Sequence, residues 1–336
     1  MEQSGSGQWR PVADIDNMRV RAWMLSRIRD YFSLHSVLEV ETPVLSHAGN
    51  PDVQIESFVS HYAGPGGERE LYLQTSPEFA MKRLLAAGTG SIYQICKCFR
   101  NADNSRLHNP EFTMLEWYQT GFDHHQLMTD VESMLKHLGA CAQETAIPRF
   151  TYQQLFETYA GFDPHLLSVE QLEQEIARLQ INFHVNKGAD ETVGLGLDRD
   201  QCLDLILTHV IEPQLQDKGL IFVYDYPASQ ASLARIRPGN PAVAERFELF
   251  ANGVELANGF NELTDKAEQQ QRFDRDVEVR SANKQDKILP DQYLIDALDA
   301  GLAPCAGVAL GLDRLLMFMT AKASLTEVLA FPFARA

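Results

Sequence analysis

Three stretches of this 336-residue chain hold side chains whose types and spacing could do chemistry. In the first, strand-like runs at 91–99 and 111–119 flank a polar loop, NADNSRLHNP. Residues two apart in a strand share a face. Phe112, Met114, Glu116 and Tyr118 therefore line one face of one strand, and Cys96, Cys98 and Arg100 one face of the other. The loop adds Arg106 and His108. If Arg100 and Phe112 face the same way, the hairpin offers an aromatic plate and a fixed guanidinium. Those parts suit a flat base and a polyphosphate, because arginine forks onto phosphate oxygens and a ring stacks on a base. An ordinary alternating strand with one surface arginine would read the same way.

The second stretch surrounds Asn252-Gly253, a preferred type I′ turn that fixes the register of its two strands. Regular pairing sets Ala251 against Val254, Phe250 against Glu255 and Glu248 against Ala257. Glu248 and Glu255 then become diagonal neighbours on one face. Like charges placed so are unfavourable, unless they serve as oxygen ligands for Mg²⁺ beside phosphate or lie solvated on an exposed face. Strict alternation leaves Asn258 and Glu262 on the opposite face, so all four converge only if the strand bulges, and Gly259 could supply the bulge. The third stretch, GVALGLDRLL at 307–316, runs strand, glycine turn, helix. It sets Arg314 in the first helical turn, where backbone amides also favour an anion.

These residues need a scaffold, and its elements can be read in outline. Val20, Met24, Ile28 and Phe32 recur at helical spacing after Asp16. A short strand at Val37–Glu41 stops before Pro43. VQIESFVSHY alternates as a strand, GPGG turns the chain, and LYLQT returns. Ser76-Pro77-Glu78 opens a helix with Ser76 as N-cap, and Gly88 closes it. Residues 124–215 are mostly helical in pattern. A strand at 220–226, the Asn252-Gly253 hairpin, a polar helix from about 264 and a strand–turn–helix at 305–321 complete the chain. Strands come as hairpin pairs, which favours an α+β fold with an antiparallel sheet flanked by helices. Neither a G-x-G-x-x-G after a strand nor a G-x-x-x-x-G-K-[ST] occurs.

Composition sets outer limits. Apolar residues make up 45% of the chain, enough for a sizeable core without disulfide staples. The formal net charge of −17 argues against wrapping nucleic acid non-specifically. No apolar run is long enough to span a bilayer, and the first residues, MEQSGSGQW, lack the basic-then-apolar layout expected of a signal peptide. The five cysteines are an odd number, and the only close pair, Cys96 and Cys98, is C-x-C. Reduced thiols in a cytoplasmic protein are expected.

The same motifs carry a resemblance. VLEVETPVL resembles motif 1 of the class II aminoacyl-tRNA synthetases, FRNADNSRLHNPEFTMLEWY the lysyl form of motif 2, and GVALGLDRLL motif 3. RFELFANGVELANGFNELTD also resembles the lysyl enzymes. The resemblance covers about 17–334. It implies a flexible N-terminus over 1–15 and a catalytic domain over 16–336 with a helical insertion at about 141–215. No anticodon-reading OB-fold domain is expected. SPEFAMKRLL, HNPEFTMLEWY, YPASQASLA and ELANGFNELTD are most similar to the truncated lysyl paralogues that attach (R)-β-lysine to a lysine of translation elongation factor P.

The resemblance implies a role for each matching residue. Arg100 holds the α-phosphate and Arg314 backs the triphosphate. Asn101, His108, Asn109, Leu249 and Gly311 lie by the nucleotide, and Phe112 stacks on adenine. Glu248 and Glu255 place Mg²⁺ and ATP. Ser76, Pro77 and Glu78 adjoin the amino-acid amine, and Tyr118, Asn258 and Glu262 with Glu255 complete that pocket. Pro43 and motif 1 imply a homodimer. Two positions depart from the lysyl pattern. Ala309 replaces a glycine, as in the β-lysine paralogues, and favours β-lysine over α-lysine. Arg100-Asn101-Ala102 stands where motif 2 reads Arg-x-Glu. An α-lysine-activating or tRNA-charging enzyme and a catalytically weak binding module are the other readings, the last resting on Ala102 alone.

Overall fold

The computed structural model describes residues 9–181 and 196–336. The chain forms two compact units, one from the residues up to Glu144 with Glu262–Ala336, the other from Thr145–Asn261.

Helix α1 (Ile15–Leu34) opens the first unit, with Asp14 accepting the Asn17 N–H at 2.6 Å as its cap. Met24, Ile28 and Phe32 are fully buried along one stripe and Val20 is half-buried. Val12 and Ala13 donate to the carbonyls of Ala330 and Leu329, so the N-terminal segment expected to be loose is anchored from Val12 onward. Residues 1–8 lie outside the described residues. Strands β1 (Leu38–Glu39) and β2 (Leu45–Ser46) follow, then the hairpin of β3 (Val59–Gly64) and β4 (Gly67–Leu73). Residues 53–58, expected in a strand, are irregular. Arg280 takes the carbonyls of Asp52 and Ile55 and both oxygens of Glu56, and the Asn101 N–H takes the Glu56 carbonyl.

Helix α2 (Glu78–Ala86) starts one residue later than Ser76 predicts. Pro77 is the N-cap, and Ser76 Oγ instead accepts the Glu78 N–H at 3.0 Å. Gly88 follows the helix at φ +87°, a backbone conformation glycine adopts without a steric penalty. Strands β5 (Ile92–Phe99) and β6 (Glu111–Thr120) lead to α3 (His124–His137), whose start is fixed by a reciprocal cap between Asp123 and Gln126.

The second unit holds β7 (Arg149–Thr151), α4 (Tyr152–Tyr159), α5 (Val169–Arg178) and α6 (Arg199–Ile206). Helix α6 continues through a π-helical turn, Leu207–Ile211, into α7 (Glu212–Gln214). Then come β8 (Leu220–Pro227), β9 (Ile236–Arg237), β10 (Val243–Ala251) and β11 (Val254–Asn261). The helical stretch expected at 141–215 packs on the strands that follow it. Its Tyr152, Phe156, Leu172, Leu203 and Ile206 share one core with Ile221, Val223 and Phe250 of the strands. The part of it at 182–195 lies outside the described residues.

The chain returns to the first unit with α8 (Lys266–Ala282), α9 (Gln292–Gly301), β12 (Cys305–Gly311) and α10 (Leu312–Met319). In the first unit the strands run β1-β5-β6-β12, and a separate small sheet runs β2-β4-β3. In the second they run β11-β10-β8-β7, with β9 on β10. The pairs are antiparallel as the hairpin pattern predicts, except that β1 lies parallel to β5 and β7 parallel to β8. Both exceptions are short strands reached by long connections, the case in which parallel pairing is possible. The fold is α+β. Among the described residues no helix is long and apolar enough to cross a membrane.

One carboxylate ties the first unit's layers together. Asp130 on α3 accepts from Tyr31 of α1 at 2.6 Å and from Trp117 and Gln119 of β6 at 2.9 and 3.0 Å. Asp130→Ala leaves the buried Trp117 and Gln119 donors without a partner and Tyr31 OH with only the residue-130 carbonyl at 3.2 Å, and the expected loss is about 2–5 kcal/mol, the scale of leaving buried donors unsatisfied. Urea unfolding measures it. A loss under ~1 kcal/mol would show that water replaces the carboxylate there.

Candidate active site

The β5–β6 register pairs Cys98 with Phe112 and Gln94 with Glu116. Arg100, two residues beyond Cys98, thus shares the face of Phe112, and its guanidinium carbon lies 5.3 Å from that ring's centroid. Arg100 Nε is buried with no hydrogen-bond partner. A buried unsatisfied donor costs about 1–3 kcal/mol, which an anion would recover. The Arg100 and Asn101 N–H groups are fixed by the carbonyls of Pro110 and Glu56 at 2.9 and 2.8 Å. Asn101 Oδ1 accepts the Ala102 N–H at 2.9 Å. Ala102 sits at φ +64°, where the chain leaves the strand and begins the loop.

That loop meets the third motif. Arg314 donates to the Leu107 carbonyl at 3.3 Å and to His108 Nε2 at 2.7 Å, while His108 Nδ1 bonds Ser105 Oγ at 2.9 Å. The arginine is always a donor, so His108 accepts at Nε2 and donates from Nδ1. Gly311 caps α10, and Arg314 occupies its first turn. Asp313 beside it accepts from Arg21 at 2.5 Å and from the Thr113 N–H at 2.7 Å, which locks α10 to α1 and β6. Asn109 donates its side-chain N–H to the Glu111 carbonyl at 2.6 Å, and its Oδ1 accepts the Phe333 N–H at 2.9 Å. Its side chain therefore shapes the loop.

Next along the same strands lies an acidic pocket. Lys82, one helical turn after Glu78, is 1% exposed. Its ammonium lies 2.7 Å from Glu78 Oε1 and 2.5 Å from Glu262 Oε2. Tyr118 OH donates to Glu116 Oε1 at 2.7 Å. Gly307 pairs with Tyr118 and Ala309 with Glu116. A Cβ on Gly307 would stand 2.2 Å from the Tyr118 ring and 2.5 Å from Glu262 Oε1, so only glycine fits. Burial pushes Glu262 up to about 7 against the pull of Lys82. Burial and then the charge of Glu78 push Glu116 well above the usual carboxylate range. Burial disfavours the Lys82 ammonium, but Glu262 and Glu78 outweigh it and raise its pKa. The pocket thus gathers Ser76, Pro77, Glu78, Tyr118, Glu262 and Ala309. It adds Lys82, Glu116 and Gly307, to which the sequence reading assigns no role, although Glu116 stands on the Phe112 face and Gly307 opens the third motif. The i, i+4 spacing of Glu78 and Lys82 was the available signal for the first.

The second unit holds the other carboxylates. Asn252 and Gly253 take positive φ, +49° and +77°, as a type I′ turn requires. Ala251–Val254 and Phe250–Glu255 pair as expected, but the register then shifts, so that Leu249 meets Ala257 and Glu248 meets Asn258. The bulge lies at Glu255–Leu256, not at Gly259, and the expected Glu248–Ala257 pair is replaced. Asn258 thereby joins the face of Glu248. Leu249 alternates to the other face and is fully buried. Glu248 accepts from Tyr226 OH at 2.7 Å and from Arg246, whose Nε also donates to Asn258 Oδ1 at 3.1 Å. Burial raises the Glu248 pKa, Arg246 opposes this, and the nearby charge of Glu255 adds to it. Two crowded carboxylates of this kind fit a hard divalent cation that takes its remaining ligands from phosphate or water. Among the described residues no three His, Cys, Asp or Glu side chains gather as a metal cage.

Residues 10–335 match the tRNA synthetases class II (D, K and N). A Vibrio vulnificus protein named elongation factor P–(R)-β-lysine ligase is 46% identical over 327 residues, 97% of this chain and 98% of its own. Proteins of that name from Vibrio cholerae and Salmonella gallinarum are 45% and 44% identical, over 98% and 99% of this chain and 99% and 100% of theirs.

Any diammonium ligand entering this acidic cluster would bind in a pH-dependent way. Below about 7 Glu262 holds a proton, and a cation must displace it. Affinity is therefore expected to rise as pH increases through 7 and to fall below it, with proton release on binding. Calorimetry in buffers of different ionisation enthalpy reads the release. Glu262→Gln should weaken binding and remove the dependence near 7. An unchanged pH profile in that variant would assign the proton elsewhere.

Proposed function

Because the chain belongs to the class II tRNA synthetase family (the D, K and N group), we infer that it is an ATP-dependent ligase that activates (R)-β-lysine and transfers it to a lysine of translation elongation factor P. The near full-length relatives bearing that name support it. The observation that carries it is the make-up of the pocket: the carboxyl groups of Glu78, Glu116 and Glu262 outnumber the single ammonium of Lys82, and the protons that burial places on Glu116 and Glu262 would give way to an amino acid with two ammonium groups.

The reaction follows from the placement of groups. The amino-acid carboxylate attacks the α-phosphorus of ATP, and the bond to pyrophosphate breaks. Arg100, with Nε unpaired, faces the negative charge that grows on the α-phosphate. Phe112 carries the adenine. Arg314, steadied by Leu107 and His108, holds the far phosphates. The acceptor lysine's ε-amine then attacks the acyl carbon and AMP leaves. No side chain forms a bond to substrate, so the work is positioning and charge stabilisation. Mg²⁺ would be held by Glu248 and Glu255 and would neutralise phosphate charge. Asn101, Asn109, Leu249 and Gly311 serve the nucleotide through the backbone they shape, and Asn258 the amino acid.

The Ala309 methyl stands beside Glu116, where it narrows the pocket against one position of the amine. We further propose that the chain acts as a cytoplasmic homodimer and does not charge tRNA. Apolar side chains left exposed on α1, β1 and β2, among them Trp23, Leu34, Leu38 and Leu45, support a self-association face. The net charge of −17 counts against RNA as acceptor.

ATP–pyrophosphate exchange tests the reading. Exchange with (R)-β-lysine is expected to exceed that with α-lysine by about 10–200-fold, the discrimination one methyl group gives, and Ala309→Gly should narrow the gap. Exchange with neither would return the chain to the binding-module reading. Arg100→Ala is expected to lower kcat by about 10²–10³, the scale of losing one transition-state donor, with an unaltered melting curve. A drop in KM affinity alone would make Arg100 a ground-state contact.

A further inference from the structure

The reaction leaves one pair of reactive groups without a role. Cys96 and Cys98 alternate along β5, so both sulfurs lie on the face of Arg100. They are 3.8 Å apart. Cys98 is fully buried, 3.9 Å from Met114 Sδ, while Cys96 is half-buried and within reach of small solutes. In the β5–β6 register Cys98 opposes Phe112 and Cys96 opposes Met114, and the next pair on that face is Gln94–Glu116. The two thiols therefore floor the strip between the Arg100–Phe112 end and the acidic pocket.

Their environments differ in the sense that favours reaction. The Cys98 S–H stabilises the Cys96 thiolate, burial opposes this, and Gln74 and Gln94 add further hydrogen bonds, so the Cys96 pKa is lowered. That same hydrogen bond and burial raise the Cys98 pKa. An accessible thiol biased toward thiolate beside a protonated one is the arrangement of an attacking and a resolving cysteine. The other thiols lack it: burial pushes Cys202 up to about 11 and Cys305 up to about 12, and Cys141 is also raised by burial.

We propose that Cys96 and Cys98 form a reversible oxidative modification site, which a hydroperoxide closes to a disulfide that switches the site off. The Cys96 thiolate attacks one oxygen of hydrogen peroxide, forming an S–O bond and breaking the O–O bond. The products are a sulfenic acid and hydroxide. Cys98 then attacks the Cys96 sulfur, the S–O bond breaks, and hydroxyl leaves with the Cys98 proton as water. Two thiols lose two electrons in all, the peroxide is reduced to water, and a dithiol reverses the change.

The effect on the site comes from strand geometry. Residues two apart in an extended strand have Cα atoms about 6.4–6.8 Å apart. That is the long end of the ~4.4–6.8 Å range a disulfide spans. Closing the sulfurs from 3.8 Å to bonding distance must shorten β5 there. Arg100 then shifts off Phe112, and Gln94 off Glu116.

The test treats the full chain with hydrogen peroxide, blocks remaining thiols with N-ethylmaleimide and digests with trypsin. Cleavage after Lys97 separates the two cysteines, so their fragments stay joined only through a disulfide. The joined, unalkylated product is expected, and dithiothreitol should abolish it. This mass readout does not depend on the proposed function. Exchange activity, which does, is expected to fall about 100-fold, the scale of a 1 Å misplacement, and to recover with dithiothreitol. Cys96→Ser should keep its own untreated rate through the same exposure. Both thiols alkylated after treatment, a disulfide with undiminished exchange, or equal loss in a Cys96→Ser/Cys98→Ser chain would each overturn the proposal.

Discussion

The register of β5, β6 and β12 is the constraint on which the first unit's chemistry rests. Side chains alternate with period two, so a slip of one residue would turn Arg100, Phe112, Glu116 and Tyr118 away together. Several independent contacts forbid the slip. Asp130 grips Trp117 and Gln119 from α3. Asp313 takes the Thr113 N–H from the start of α10. Gly307 leaves the only space in which the Tyr118 ring fits, and a shifted β12 would present Ala306 or Val308 to it. None of these residues touches a reacting atom, yet each fixes where the reacting atoms stand.

Within that frame charge is sorted along one face. The Arg100–Arg314 end is cationic and the Glu78–Glu116–Glu262 end is rich in carboxyl groups around Lys82. The sorting matches a reaction whose two substrates have opposite charge, a polyphosphate and a diammonium amino acid. Lys82 is what lets the carboxyl-rich end exist before substrate arrives. Two buried carboxylates with no cation between them would repel and take up protons. With Lys82 between them, Glu78 and Glu262 are held apart in a fixed geometry, and under the proposed function the pocket would exchange protons for ammonium groups rather than rearrange.

Much of this was legible in the sequence, and the failures have physical causes. The α+β class, the β5–β6 hairpin and the meeting of Arg100 with Phe112 followed from alternation and turn chemistry. The bulge at Glu255–Leu256 did not, because a β-bulge needs no glycine and leaves no mark in a hydrophobic pattern. Gly259 was the visible candidate and the wrong one. Residues 53–58 alternate like a strand, but buried Arg280, more than two hundred residues away, takes the carbonyls of Asp52 and Ile55 and the carboxylate of Glu56. Local pattern cannot register a competitor so distant. Lys82, Glu116 and Gly307 carry no role in the sequence reading for a related reason. A lysine in a helix, a glutamate in a strand and a glycine in a strand look ordinary until topology brings them to one point.

Ala102 is where motif and structure pull hardest against each other. The family pattern has a carboxylate at that place, and its absence was the sole support for a chain that binds without catalysis. Position 102 is the left-handed residue at which β5 gives way to the loop. The groups nearest the reacting phosphate lie before and after it and do not depend on its side chain. Arg100 is set by the Pro110 carbonyl, Asn101 by Glu56, and His108 by Ser105 and Arg314. Glu56 is in turn gripped by buried Arg280. The loop is thus held at its base by backbone bonds and at its tip by Arg314, and a methyl group at its left-handed entry alters neither anchor. What a carboxylate there would add is charge near the nucleotide or the acceptor, a matter of rate. In the proposed reaction the capacity to activate an amino acid rests on the anchored arginines.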